Sequence, residues 1–419
     1  MLKKFKGAYP KAFKVLVLAT FIDRLGSFIL YPFFALYITE HFGVGILEVG
    51  FLFSIFSFGD LTGGIVGGAL ADKYGRRTLI LFSLVVSGIG SILMGLVTNL
   101  IIFYVLALIL GLIGNIGNPA RQAMVADLLP AEKQAEGFGS IRVALNLSAI
   151  IGPILGGLIA TQSFMVLFIL DALSSLITAI LVYRVIPETL PQKQDEDEKT
   201  KESFIDTIIG YKEVLKDKVF LIFLLISAIT VLVYMQMNST LSIFLCEYHG
   251  FTKFSFSLLL SMNALIVVLF QFWLSKKISK YTPMKMMSFG TVFLMIGFGM
   301  HGFISETYIF FIAMAFITVG EMIVFPVAQG LVASFAPEDK RGRYMAVSSV
   351  QWAVPNLFGV LLAALVMEYI GPNWVWYFAG ILCLIAMVGF WLLHGATRER
   401  LSKKLESTTG PLIEQDIVV

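Results

Sequence analysis

LIIFYVLALILGLIG, residues 100–114, contains no charged side chain and no alternation of polar with apolar positions. A strand of a membrane barrel needs about 10 residues with polar side chains at every second place, so this stretch reads as a helix and a barrel is excluded. With its flanks it is long enough, at ~1.5 Å per residue, to cross a hydrocarbon core of ~30 Å. Similar runs recur along nearly the whole chain. Hydrophobic residues are 58% and charged residues 14% of the 419, with a mean hydropathy of +0.86, a composition that needs lipid as solvent. Twelve spans follow, at 13–39, 46–71, 78–97, 101–127, 138–161, 164–186, 218–245, 255–276, 284–303, 306–333, 343–370 and 373–395. The expected fold is an all-α polytopic membrane protein.

The placement of charge sets the orientation, because short cytoplasmic loops carry an excess of Lys and Arg. The N-terminal segment, Lys73 with Arg76 and Arg77, Lys276 through Lys285, Lys340 with Arg341 and Arg343, and the tail from Arg398 all fall on one side. The opposite loops contain only Lys253. Both termini are therefore expected in the cytoplasm, with the chain in the plasma (cytoplasmic) membrane. The first span is too long for a signal-peptide core and no small-x-small site follows it, so it is expected to remain in the mature protein. Cys246 near the end of span seven and Cys383 inside span twelve make neither a disulfide framework nor a metal site.

Residues 187–217 are the only long polar stretch between spans, and PETLPQKQDEDEKTKES alternates charge signs as a solvated linker does. The chain thus divides into an N-terminal six-helix bundle (1–186), a linker with a short amphipathic helix in FIDTIIGYKEVL (187–217), a C-terminal six-helix bundle (218–395) and a cytoplasmic tail (396–419). An offset of 207 residues aligns the halves: Lys73-Tyr74 falls on Lys280-Tyr281, Pro119 on Pro326, Gln122 on Gln329, Pro130 on Pro337 and Gly152 on Gly359. Halves of six helices repeat in parallel about an axis along the membrane normal, and such transporters bind substrate near the midplane between repeats. Charges present in one copy alone are not required by folding of both. Asp23, Arg24 and Asp60 align with Thr230, Val231 and Val267, and Glu321 aligns with Gly114.

GALADKYGRR, residues 68–77, resembles the signature of the major facilitator superfamily between helices two and three, through Gly68, Leu70, Asp72, Gly75, Arg76 and Arg77. The resemblance covers about residues 10–395 and implies a 6+6 fold in which this loop is a conformational latch, completed by an acidic residue at the end of helix four, here Asp127. Gly139, Ser148, Gly152, Pro153, Gly156 and Gly157 resemble the helix-five motif of the twelve-helix drug/proton antiporters, with serine at the second glycine. Small residues at four-residue spacing also serve ordinary helix packing. The family's helix-four arginine motif is absent from LALILGLIGNIG, so proton coupling must rest elsewhere.

An ionised residue mid-membrane costs roughly 2.5 to 3.5 kcal/mol, which makes it a functional-site candidate. Asp60 and Glu321 each lie about 12 residues, or ~18 Å, from the cytoplasmic ends of their helices, and are expected to face one cavity at one depth. Asp23 is ~15 Å along helix one, with Arg24 turned ~100° from it. Arg24 is expected as the fixed positive charge while Asp60, Glu321 or Asp23 exchanges a proton; a structural Arg24–Asp60 salt bridge is the competing reading. Asp171, Arg121 and Arg142 sit nearer helix ends, where charge costs less, and rank lower. Pro32, Pro119, Pro326 and Pro355 are expected kinks.

These features together imply a proton-coupled secondary transporter working by alternating access, exporting lipophilic or cationic drugs. A transporter of a defined solute such as a sugar, peptide or amino acid, a lipid or glycolipid flippase, and a transport-inactive sensor are the alternatives. No Walker sequence or His/Cys/carboxylate metal cluster points to an enzyme, and no cofactor is expected. The expected partners are a small, lipophilic substrate, protons and membrane lipid, without nucleic acid, around a monomer.

Overall fold

The computed structural model describes residues 9–189, 214–335 and 341–409, and the side-chain surroundings of Gly68 and Asp72 fall outside what it describes. The amphipathic helix expected in FIDTIIGYKEVL spans residues 204–215, of which 204–213 lie outside the described residues. Every regular element among the described residues is helical. In order they are α1a (Lys11–Leu30), a 3-10 turn (Tyr31–Phe33), α1b (Phe34–Phe42), α2 (Ile46–Tyr74), α3 (Arg76–Leu96), α4 (Leu100–Leu128), α5 (Ala131–Ala160) and α6 (Phe164–Val185). The second half contains α7a (Lys218–Met235), a 3-10 turn (Gln236–Asn238), α7b (Thr240–Ile243), a π-helical turn (Phe244–Tyr248), α8 (Lys253–Ile278), α9 (Pro283–Met300), α10 (Thr307–Phe335), α11a (Arg341–Ser348), α11b (Val350–Tyr369) and α12 (Pro372–Thr409).

Among the described residues, eleven helices are long and apolar enough to cross a membrane. The twelfth pass is the first, where Lys14, Asp23 and Arg24 fall in one 20-residue helix and lower its apolar character. Pro32 breaks this pass into α1a and α1b because it cannot supply the backbone N–H that a continuous helix needs. Pro119, Pro153, Pro326 and Pro355 by contrast lie inside continuous helices. The last helix runs on to Thr409, well into the region expected as a tail.

The repeat is visible in the packing. In the first half α1 packs on α5 and α6, α2 on α4, and α3 on α4 and α6; in the second half α7 packs on α11 and α12, α8 on α10, and α9 on α10 and α12. The two bundles meet through α2 with α11b, α5 with α8, and α1b with α7b.

These meetings concentrate at the face opposite the basic loops. A Cβ on Gly50 of α2 would lie 2.9 Å from the Leu361 backbone, and one on Gly157 of α5 would lie 2.4 Å from Ser257 Oγ of α8. Here the bare backbone lets helices of different bundles touch, and that face is closed. Lys253, at the start of α8, donates to Glu40 Oε2 at 2.9 Å and to the Ala160 carbonyl at 3.3 Å, and its ammonium lies 4.1 Å from the Phe164 ring centre. One lysine of the second half therefore ties the ends of α1b and α5 and the start of α6.

Candidate functional site

A cavity of about 440 Å³ opens within the first half, walled by α1, α2, α3, α4 and α6. Close helix contacts create it. On α2, Cβ atoms at Gly59, Gly63 and Gly67 would stand 2.5, 2.0 and 2.5 Å from carbonyl oxygens of α4, so the two backbones lie against each other. That contact brings Asp60 of α2 beside Asn115 of α4, whose amide donates to the Asp60 carbonyl at 2.7 Å. A Cβ at Gly26 would lie 1.9 Å from Ser174 Oγ, so α1a and α6 are equally close, and Asp23 meets Ser175 while Asp171 enters the same cavity.

Five charged side chains line this space: Asp23, Arg24, Asp60, Arg121 and Asp171. Asp23 is buried and fully engaged, with Arg121 donating to Oδ2 at 2.7 Å and Ser175 to Oδ1 at 3.3 Å. Arg24 donates to Asn118 Oδ1 at 3.2 Å, Asn118 donates to Asn115, and Asn115 reaches α2, so a chain of amides joins α1 through α4 to α2. Neither Asp60 nor Asp171 has a basic partner within 4 Å among the described residues. With every group ionised the cavity carries three negative and two positive charges. The same cavity has an aromatic wall of Phe28, Tyr31, Phe34, Phe53 and Phe56.

The corresponding place in the second half is almost filled. Asp23, Arg24 and Arg121 are replaced at the 207-residue offset by Thr230, Val231 and Ala328, and these residues line a crevice of only about 20 Å³.

Several expectations change here. Glu321 does not line the cavity that holds Asp60. It stands in the other bundle at equal depth along its helix, and depth alone does not decide which bundle a side chain enters. There it is buried and accepts from Asn263 at 3.1 Å through Oε1. The competing Arg24–Asp60 salt bridge is not formed, since the ion pair joins Asp23 to Arg121 instead. Arg121 and Asp171, ranked low by their distance from helix ends, are cavity residues, whereas Arg142 is exposed on α5.

Around the basic loop, Gly75 adopts φ +96°, a conformation that favours glycine. A Cβ there would meet the carboxylate of Glu188. That carboxylate accepts from the Arg76 and Arg77 amides at 2.8 and 3.1 Å and so caps the start of α3. Arg76 pairs with Asp127 at the end of α4, and Arg77 donates to the Tyr183 carbonyl while its guanidinium lies 5.1 Å from the Tyr183 ring centre. Each of these contacts stays within the first half. The Asp72 side chain lies outside the described residues.

On α5, Ser148 donates to the Phe21 and Ala144 carbonyls at 3.0 and 2.9 Å. Gly152 and Gly156 face the backbone of α1a around Ile29, and Gly157 faces α8. Gly139 has no atom within 4 Å of its Cβ position, and Pro153 lies inside the helix.

A family model described as Major Facilitator Superfamily matches residues 16–354 and 283–417. The chain is 25% identical to the Na(+), Li(+), K(+)/H(+) antiporter of Planococcus maritimus over 92% of this chain and 96% of that one. It is 24% identical to the class H tetracycline resistance protein of Pasteurella multocida, covering 90% and 95%. The crystal structure of the nucleoside transporter NupG superposes with a TM-score of 0.80 at 13% identity, over 91% of this chain and all of that one, a likeness of fold. The family match spans most of the length of a chain folded as two packed helical bundles: this protein belongs to the major facilitator superfamily, as a multi-pass membrane transporter of the secondary-active, alternating-access kind.

Proposed function

We propose that this transporter exchanges protons for a small monovalent cation, and that the first-half cavity is where the exchange occurs. The observation that carries the reading is the charge count: three carboxylates against two guanidiniums leave one negative charge uncompensated in a cavity inside the first bundle. An uncompensated charge within a membrane protein is costly. One proton or one monovalent cation removes that cost, and a site that must hold one or the other before its helices rearrange is an antiport site. Asp23 and Arg121 satisfy each other, so Asp60 and Asp171 are the groups free to trade a proton for the cation. The family relative named as a Na(+), Li(+), K(+)/H(+) antiporter supports a defined cation as the solute.

A second reading, export of organic cations, draws on the aromatic wall, which offers ring faces to a positively charged, lipophilic molecule. In both readings the basic loops and the termini lie in the cytoplasm, so the closed face is the outer one and this is the inward-facing state.

The test is reconstitution into proteoliposomes loaded with a pH-sensitive dye. Addition of Na+, Li+ or K+ is expected to drive proton counterflow, and Asp60→Asn is expected to abolish or severely slow it. Ethidium driving counterflow while the inorganic cations do not selects the organic-cation reading. No counterflow with any of these cations overturns cation antiport.

A further inference from the structure

The cavity contains a smaller arrangement at its α6 wall. Ser27 of α1a, Ser91 of α3 and Asp171 of α6 line the same cavity, and a Cβ on Gly26, next to Ser27, would lie 3.0 Å from the Asp171 Cα. Each serine is placed to donate to a backbone carbonyl, Ser27 to Asp23 at 3.3 Å and Ser91 to Phe168 at 3.2 Å. A hydroxyl has one proton and two lone pairs. When the protons go to the backbone, Asp171 faces oxygen lone pairs from two other helices, and no basic side chain among the described residues lies within 4 Å to balance it. Such a set of oxygens repels itself when empty and is drawn together by a hard cation, which takes carboxylate, hydroxyl and water oxygens as ligands.

We infer that Asp171, Ser27 and Ser91 form the seat of an inorganic monovalent cation, each ligand supplied by a different helix and the remaining coordination by cavity water. This deepens the exchange reading and rests on it for its role in transport. The helix-to-helix contact at Gly26 positions the seat by holding Ser27 and Asp171 on facing backbones. Empty, the seat relaxes as the serine hydroxyls rotate to donate to Asp171; filled, they turn back to the Asp23 and Phe168 carbonyls. The Asp60 carboxylate, on α2, lies outside this set and is left to carry the proton in the exchange.

Binding and transport separate the two claims. The full-length protein in detergent is titrated with NaCl, LiCl or KCl against choline chloride at constant ionic strength and pH, and its unfolding temperature is followed, since a ligand that binds the folded state raises it. Wild type is expected to gain stability in at least one inorganic cation. The Ser27→Ala/Ser91→Ala pair is expected to raise the half-saturating concentration about tenfold or more, because a contact to a charged group is worth a decade of affinity or better. Asp171→Asn is expected to remove the response, and Ser27→Thr, which keeps the oxygen, to retain it. If the double serine variant unfolds at the wild-type temperature in choline and still responds to the cation as wild type does, the seat is refuted, as it is if wild type shows no response. Cation binding without proton counterflow in liposomes preserves the seat and refutes the exchange; counterflow that is insensitive to the serine pair does the reverse.

Discussion

Replacing Lys253 with methionine is expected to loosen the closed face, and the size of the effect can be worked from its contacts. The ion pair with Glu40 spans 2.9 Å, but Lys253 is 19% and Glu40 50% exposed, so the pair belongs among solvent-screened bridges worth at most ~1 kcal/mol. The Phe164 ring at 4.1 Å contributes about 0.5–1 kcal/mol, and the Ala160 carbonyl a further fraction. Methionine keeps the length of the side chain and loses all three contacts. The total of about 2 kcal/mol corresponds to a ~30-fold shift between closed and open populations at this face. Ser257 reports the shift because it is fully buried against Gly157 when the face is closed. In a background lacking Cys246 and Cys383, Ser257→Cys should be alkylated by an external maleimide roughly 30 times faster once Lys253→Met is added. An unchanged rate would show that the helix contacts at Gly50 and Gly157 hold the face unaided, and that the lysine does not clamp it.

Removing either member of the Asp23–Arg121 pair leaves a buried charge without its partner, and Asp23→Ala or Arg121→Ala should each cost about 3–5 kcal/mol, read as a fall in the unfolding temperature. The double replacement Asp23→Leu/Arg121→Met should recover much of that loss, and a double variant no more stable than the singles would count against a mutual ion pair. Gly63→Ala puts a methyl 2.0 Å from the Leu112 carbonyl, and should destabilise by about 1–3 kcal/mol or more. Gly139→Ala meets open space within a helix, and should be neutral or slightly stabilising in the same assay. At the closed face, burial and the Glu40 carboxylate raise the Glu247 pKa, with Thr39 opposing. The closed state thus holds this proton more tightly than a hydrated open state does. Closure should be favoured at acidic external pH and weaken as pH rises through the raised pKa. The Ser257→Cys alkylation rate should show this trend, and Glu247→Gln should flatten it; equal profiles in the two backgrounds would exclude Glu247.

The order and nature of the helices were legible in residue chemistry because lipid imposes length and apolarity on each crossing. Even the first pass, with its buried Asp23 and Arg24, declared itself by length and by the break at Pro32. The site was legible only in part. Position along a helix measures depth, and Asp23, Arg24 and Asp60, singled out by depth, line the first-half cavity. Which charges meet is decided by rotation and by backbone approach at Gly26, Gly59, Gly63 and Gly67, and neither follows from spacing. Arg121 and Asp171 were therefore undervalued, and Glu321 was assigned to the wrong cavity. A usable signal existed for the last: its alignment with Gly114, a residue lining the first-half cavity, places Glu321 at the equivalent point of the second bundle. Glu188 is not legible as a cap because PETLPQ reads as the start of a polar linker, and nothing local indicates that its carboxylate turns back to cap α3.

The interruption of the first pass at Tyr31–Phe33 gives that helix two attachments. At the break and just after it, Tyr31 and Phe34 form part of the cavity wall, and α1b goes on to end beside Glu40 and its lysine clasp. A straight helix would have to swing as one rod, shifting Asp23 and Arg24 whenever the outer clasp released. The jointed helix is a lever with its fulcrum at Pro32, so a short outer arm can tilt while the inner arm stays seated on Gly152 and Gly156 of α5. Release of the clasp would then reach the cavity first as movement of two aromatic rings, changing the width of the space before disturbing the charges inside it.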